Sequence, residues 1–203
     1  GGYTKAQCEH GLADCAMSMG LPSQAITHYR EAIRLDPTLR CAYENLIFLL
    51  DAQPWTTDAE AQQARSAWWT HIGAPVYATR RPHTNTRDPE KRIRVGYVSS
   101  DFRFHSAMIA CHSVITQHTD QIEPVFYSTL HQAGHDAVTG REWKDRFGPA
   151  FVDVSCLTPE AFADVIRNDQ IDILVDLSGY TAGNRLFVFA HAPAPIRITA
   201  WGY

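Results

Sequence analysis

No stretch of this 203-residue chain approaches the ~18–20 consecutive apolar residues that cross a bilayer, so no membrane-spanning helix is expected. A basic and then apolar leader is missing as well, which argues against a secretory signal; the paired Gly1-Gly2 reads as a cloning scar or a cut inside a longer protein. Positive charge is not in excess. Eighteen Lys and Arg face 22 Asp and Glu for a net charge of −4, which excludes a broad basic surface for nucleic acid. Charged residues make up only 20% against 45% hydrophobic ones, so disorder of the whole chain is excluded too. The five cysteines are odd in number, irregular in spacing and without a CxxC pair. That pattern excludes a zinc ribbon and predicts free thiols in a reducing cytoplasm.

What is present falls into two unlike halves. Over 1–71 the pattern is one of helical hairpins: Leu12, Ala13, Ala16, Gly20, Ala25, Tyr29, Ala32 and Pro37 occupy the positions that tetratricopeptide repeats use. Small Ala side chains let two helices approach closely, Gly20 turns the chain, Ser23 is a candidate cap for the second helix, and Pro37 stops it. Shifting by the ~34-residue repeat period sets Ala25 on Ala59 and Ala32 on Ser66, so a second, degenerate repeat follows, with a stretched turn at Gln53–Thr56. One or two repeats leave a hydrophobic face uncovered, so further repeats or the second half are expected to cover it. Trp68-Trp69 is expected to pack between the halves.

A proline-rich polar segment, 72–91, predicts a linker lying along the surface. From 92 to 203 the period changes. Strand-like runs at 92–98, 122–128, 150–154, 171–177 and 196–202 alternate with helical ones at 106–118, 136–147, 158–169 and 184–192. Ser106 and Thr158 are candidate N-caps, the latter followed by Pro159 in the first helical position. The order βαβαβαβαβ predicts a parallel sheet with right-handed crossovers, and the apolar run 171–177 a strand covered on both faces.

In an open parallel sheet, ligands bind beyond the carboxyl ends of the strands. That rule selects 99–105, 178–184 and Trp201-Gly202-Tyr203. His105 precedes a helix start, where the helix dipole disfavours a protonated imidazole. A neutral imidazole suits a general base or a hydroxyl acceptor; a bond to a neighbouring backbone group is the plainer alternative. Asp101 is expected to be a buried carboxylate that ties loop amides together, with direct chemistry the lesser alternative. Asp176 is expected to orient the 178–184 turn through backbone N–H groups, with positioning of a substrate hydroxyl the lesser alternative. Ser178–Asn184 is a Gly-rich turn before a helix and suits anions, but it is not GxGxxG, so no dinucleotide is implied. Arg185 reads as a surface charge or a phosphate contact. His131 and His135 share a spacing but lack a third metal ligand, and no metal site is expected.

The segments 91–106 (KRIRVGYVSSDFRFHS) and 171–203 (IDILVDLSGYTAGNRLFVFAHAPAPIRITAWGY), with helical hairpins before them, resemble bacterial members of the O-linked N-acetylglucosamine transferase family, including its SPINDLY-like branch. The resemblance implies an α/β fold with an α-helical N-terminal part: tetratricopeptide-like hairpins, then one Rossmann-like parallel-sheet lobe of a two-lobed glycosyltransferase. It implies an inverting enzyme that needs no metal or other cofactor. The nucleotide sugar is its donor substrate, protein Ser or Thr hydroxyls are its acceptors, and the repeats guide acceptor polypeptides. Neither nucleic acid nor membrane is an expected partner, and the expected compartment is the cytoplasm. His105 matches the histidine of the DF..H motif and is the candidate catalytic residue. Tyr180 and Thr181 match the G-[HY]-T turn, where many bacterial relatives carry His in place of Tyr180. Asp101, Tyr180, Thr181, Asn184 and Arg185 are the candidate substrate contacts. The family continues with a second lobe that holds most nucleotide contacts, so these residues are expected to be a fragment, inactive alone. A non-catalytic tetratricopeptide scaffold and an O-fucosyltransferase using GDP-fucose are the alternatives.

Overall fold

The computed structural model describes residues 2–130 and 137–200. The expectations for His131, His135 and Trp201-Gly202-Tyr203 lie outside the described residues. Two compact units divide the chain, Gly1–Ala78 and Thr79–Tyr203.

The first unit is all helix: α1 (Lys5–Ser18), α2 (Pro22–Leu35), α3 (Arg40–Asp51), α4 (Asp58–Trp68), a π turn over Trp69–Gly73 and α5 (Ala74–Ala78). Thr4 and Gln7 form a reciprocal capping box at the start of α1. Gly20, at φ +71°, closes α1 in a Schellman motif, with the Leu21 amide on the Ala16 carbonyl and the Gly20 amide on Met17. Ala13, Ala16, Ala25, Ala32 and Ala42 are buried at the helix contacts, where the lack of bulk permits close approach. The Tyr29 hydroxyl donates to Asp14 at 2.6 Å, and Asn45 reaches both, so one polar knot links α1, α2 and α3.

Three local expectations change. Ser23 does not cap α2: the helix starts one residue earlier, at Pro22, which takes the first position because it has no N–H to satisfy. Leu12 faces outward, half exposed. Helix persists beyond 71 to Ala78, so the non-helical connection is shorter than 72–91. The widened turn at 69–73 precedes Pro75, which returns no N–H to the helix. A Cβ on Gly73 would sit 2.5 Å from the Trp69 ring, and that ring also packs on Tyr77.

The second unit comprises β1 (Ile93–Ser99), α6 (Ser106–Thr116), β2 (Ile122–Ser128), α7 (Ala137–Phe147), β3 (Phe151–Asp153), α8 (Pro159–Asn168), β4 (Ile173–Asp176), α9 (Leu186–Ala190) and β5 (Ile196–Thr199). The strands form one parallel sheet in the order β3-β2-β1-β4-β5. Period two sorts its core onto two faces. Val98, Val125, Tyr127 and Leu174 pack with Phe162 and Ile166 of α8. Val95, Tyr97, Phe126 and Val175 pack with Met108, Cys111 and Ile115 of α6 and with Trp143. Thr158 caps α8 as expected. Ser106 does not cap α6; His105 holds that position.

Residues 79–92 form no helix or strand and are bonded to the corner that precedes β4. Asn85 donates to the Gln170 and Ile171 carbonyls and to Asp172. Asp172 also takes Lys91 at 2.6 Å and the Arg94 amide at 3.0 Å, and Arg81 pairs with Asp164. Burial opposes ionisation of Asp172, but these donors outweigh it and hold the carboxyl below its ordinary value.

Candidate functional site

Three loops leave the carboxyl ends of adjacent strands β2, β1 and β4, and they bond to one another. The Ser100 amide donates to Ser178 Oγ at 3.3 Å, and the Ser100 hydroxyl to the Ala182 carbonyl at 3.2 Å. Thr129, directly after β2, donates to the Gly183 carbonyl at 2.9 Å. Gly183 lies at φ +80°, and a Cβ there would fall 2.9 Å from Ser100 Cβ, so glycine is what lets the two turns touch.

Asp176 stands beneath this junction, fully buried at the end of β4. Its carboxylate accepts the Ser178 amide (3.2 Å), the Gly179 amide (2.9 Å) and the Thr199 hydroxyl (2.8 Å), which gives it the turn-orienting role its position suggested. Burial nevertheless wins, and its carboxyl is pushed above the usual range against those donors.

Asp101 is buried as expected, but what it ties is different. Arg103 donates to Oδ1 (3.2 Å) and the Ser100 hydroxyl to Oδ2 (3.4 Å), while the Asp101 amide itself donates to Ser99 Oγ. The carboxylate gathers side chains because the amides of Ser100, Asp101 and Arg103 have other acceptors in Ser178 Oγ, Ser99 Oγ and the Asp101 carbonyl. His105 lies on the same rim, its side chain 39% exposed. Its Nδ1 accepts the Ala107 amide at 3.3 Å and stands 3.7 Å from Asp101 Oδ2. Among the described residues, no hydrogen-bond partner engages Nε2.

The other expected contacts are tied into the scaffold. The Thr181 hydroxyl donates to the Ser178 carbonyl at 2.6 Å. Asn184 donates to the Thr181 carbonyl and accepts the Leu186 amide, fastening the turn to α9. Arg185 fans onto the carbonyls of Val154, Ser155 and Leu157, clamping the loop after β3 rather than standing as a surface charge. Tyr180 is partly buried in the same turn. Sequence reasoning missed Thr129, although its place just past β2 falls under the same strand-end rule.

A cavity of about 210 Å³ beside α6 is lined by Arg103, Phe104, Met108, Ile109, His112 and Trp143. A larger one of about 480 Å³, lined by Arg81, His83, Asn85, Arg167 and Gln170, lies at the opposite edge, away from His105. Among the described residues no group of three His, Cys, Asp or Glu is placed to hold a metal ion, and no helix is long and apolar enough to cross a membrane.

A parallel α/β sheet with interlocked loops over its carboxyl edge, preceded by helical hairpins, defines a Rossmann-like lobe after an α-helical part. Residues 73–203 match the family described as Glycosyl transferase family 41, and the chain belongs to that family. It is 31% identical over 173 residues to the Arabidopsis thaliana protein named "Probable UDP-N-acetylglucosamine–peptide N-acetylglucosaminyltransferase SPINDLY", a match covering 84% of this chain and 19% of the relative. Against the Arabidopsis protein of the same named activity called SEC, it is 39% identical over 116 residues, covering 56% of this chain and 11% of the relative. A solved mutant O-GlcNAc transferase from Thermobaculum terrenum superposes with a TM-score of 0.82 at 30% identity, covering 98% of this chain and 37% of that one. The chain thus spans about a fifth or less of the length of these curated relatives.

Proposed function

We propose that this chain forms the helical entry and one lobe of a protein O-glycosyltransferase that moves N-acetylglucosamine from UDP-N-acetylglucosamine onto Ser or Thr hydroxyls. Family membership and the named activity of the relatives support the donor and acceptor classes. The single observation that carries the chemistry is the His105 ring, set at the carboxyl rim beside the interlocked turns and partly open to solvent.

The reaction is a single displacement. The acceptor hydroxyl oxygen bonds to the anomeric carbon, the bond from that carbon to the diphosphate breaks, and UDP leaves with the electron pair while the configuration inverts. The hydroxyl proton passes to a base, and His105 Nε2 is the group assigned to receive or orient it. Asp101, Tyr180, Thr181, Asn184 and Arg185 shape the surrounding rim and are assigned to substrate positioning. The rest is substrate orientation and stabilisation of charge on the departing diphosphate, in which the metal-free step relies on polypeptide outside these residues. The 203 residues alone are therefore expected to be inactive. The helical unit is read as tetratricopeptide-like and as the acceptor-binding part, with the cytoplasm as the working compartment.

The test is transfer of labelled sugar to protein by the full-length gene product. Incorporation from UDP-N-acetylglucosamine supports the reading. Incorporation from GDP-fucose alone redirects it to O-fucosyl transfer, and none from any donor favours a non-catalytic scaffold.

A further inference from the structure

We propose that Asp101 is the positioning residue that sets the tautomer of His105, and so decides whether Nε2 acts as a base or as a donor. The inference rests on the glycosyltransferase reading for its catalytic meaning, but the tautomer is read on the ring itself, without turnover, and it requires Nδ1 to give up the Ala107 amide.

His105 Nδ1 has two competing neighbours. The Ala107 amide, at 3.3 Å, offers a proton to it. A neutral imidazole held by that bond alone carries its own proton on Nε2, which then donates and has no lone pair for an acceptor hydroxyl. On the other side, Asp101 Oδ2 stands 3.7 Å away and accepts protons only. A shift of under about 1 Å brings the ring to hydrogen-bond length with that oxygen. Nδ1 then keeps the proton, and the Nε2 lone pair faces the rim.

Three features favour the carboxylate. Arg103 donates to Oδ1, leaving Oδ2 to face the ring; the Ser100 hydroxyl stands 3.4 Å from Oδ2, long for a hydrogen bond, and also has the Ala182 carbonyl at 3.2 Å. The carboxylate is 10% exposed, so water competes little for it. A charge-assisted bond is about twice as strong as a neutral one, and the amide bond it displaces is already long. Among the described residues the ring faces Asp101, which is itself paired with Arg103, and the Ala107 amide at the amino end of α6.

The experiment is long-range proton–nitrogen NMR of the ¹⁵N-labelled chain, with His105→Gln to assign the signals, at a pH where His105 is neutral. The expected result is a protonated Nδ1 and a bare Nε2 in the native protein, reversed in Asp101→Asn, whose amide donates to Nδ1. In the full-length enzyme, Asp101→Asn is expected to lower kcat by ~10²–10⁴-fold, the scale of a wrong tautomer in a histidine–carboxylate pair. Unchanged signals between native and Asp101→Asn chains, or a native ring carrying its proton on Nε2, overturn the inference whatever the activity does. A reversed tautomer with no sugar transfer by the native enzyme upholds it and sinks the functional reading instead.

Discussion

Single side chains decide what the rim can do, and they differ in how plainly the sequence announces them. His105 was legible because it follows a strand end and precedes a helix. Its N-cap role was not, because Ser106 is the commoner cap type; the imidazole reaches the Ala107 amide first. The Asp101–Arg103 pair depends on how the chain turns after β1, and spacing alone does not supply that turn. Asp172 makes a prediction at this scale. Its folded carboxyl sits below the ordinary value, so its contribution to stability is present above the unfolded Asp value of ~3.9 and is lost as pH falls through the lower folded value. Asp172→Ala is expected to lose about 1–3 kcal/mol at neutral pH by thermal unfolding. The substitution should also flatten the acid limb of the stability profile.

Among the elements, the strands and the helices between them were read from their alternating pattern, most openly at β1, β2 and β4, where buried faces leave a signature in runs of Val, Ile and Leu. The ends were harder. Pro22 pre-empts Ser23 at α2, and a π turn carries helix through 72–78, where proline and polar content pointed to a linker. Contacts distant in sequence stayed hidden: Asn85 on the Gln170–Asp172 corner, and Thr129 on Gly183. The meeting of the turns after β1 and β4 depends on Gly183 through both its positive φ and its missing Cβ. Gly183→Ala is expected to lower stability by about 1–3 kcal/mol and to depress transfer by parting the two turns. Ser100→Gly in the same background should recover the steric share and leave the backbone strain. Unfolding midpoints of the native protein and the two variants check this.

For the whole molecule, helical hairpins joined to a parallel lobe were expected; helices α1–α5 precede the five-stranded parallel sheet, and the family 41 match covers 73–203. The proposed displacement assigns no step to a metal ion, so transfer by the full-length enzyme is expected to persist undiminished after chelation with EDTA. A loss restored by added divalent cation contradicts that part of the scheme. The central claim is that the imidazole of His105 serves the acceptor hydroxyl. Its most direct test is kcat for sugar transfer from UDP-N-acetylglucosamine to protein in native and His105→Ala enzymes of matched folding. A fall of ~10²–10⁴-fold is predicted, and equal rates would contradict it.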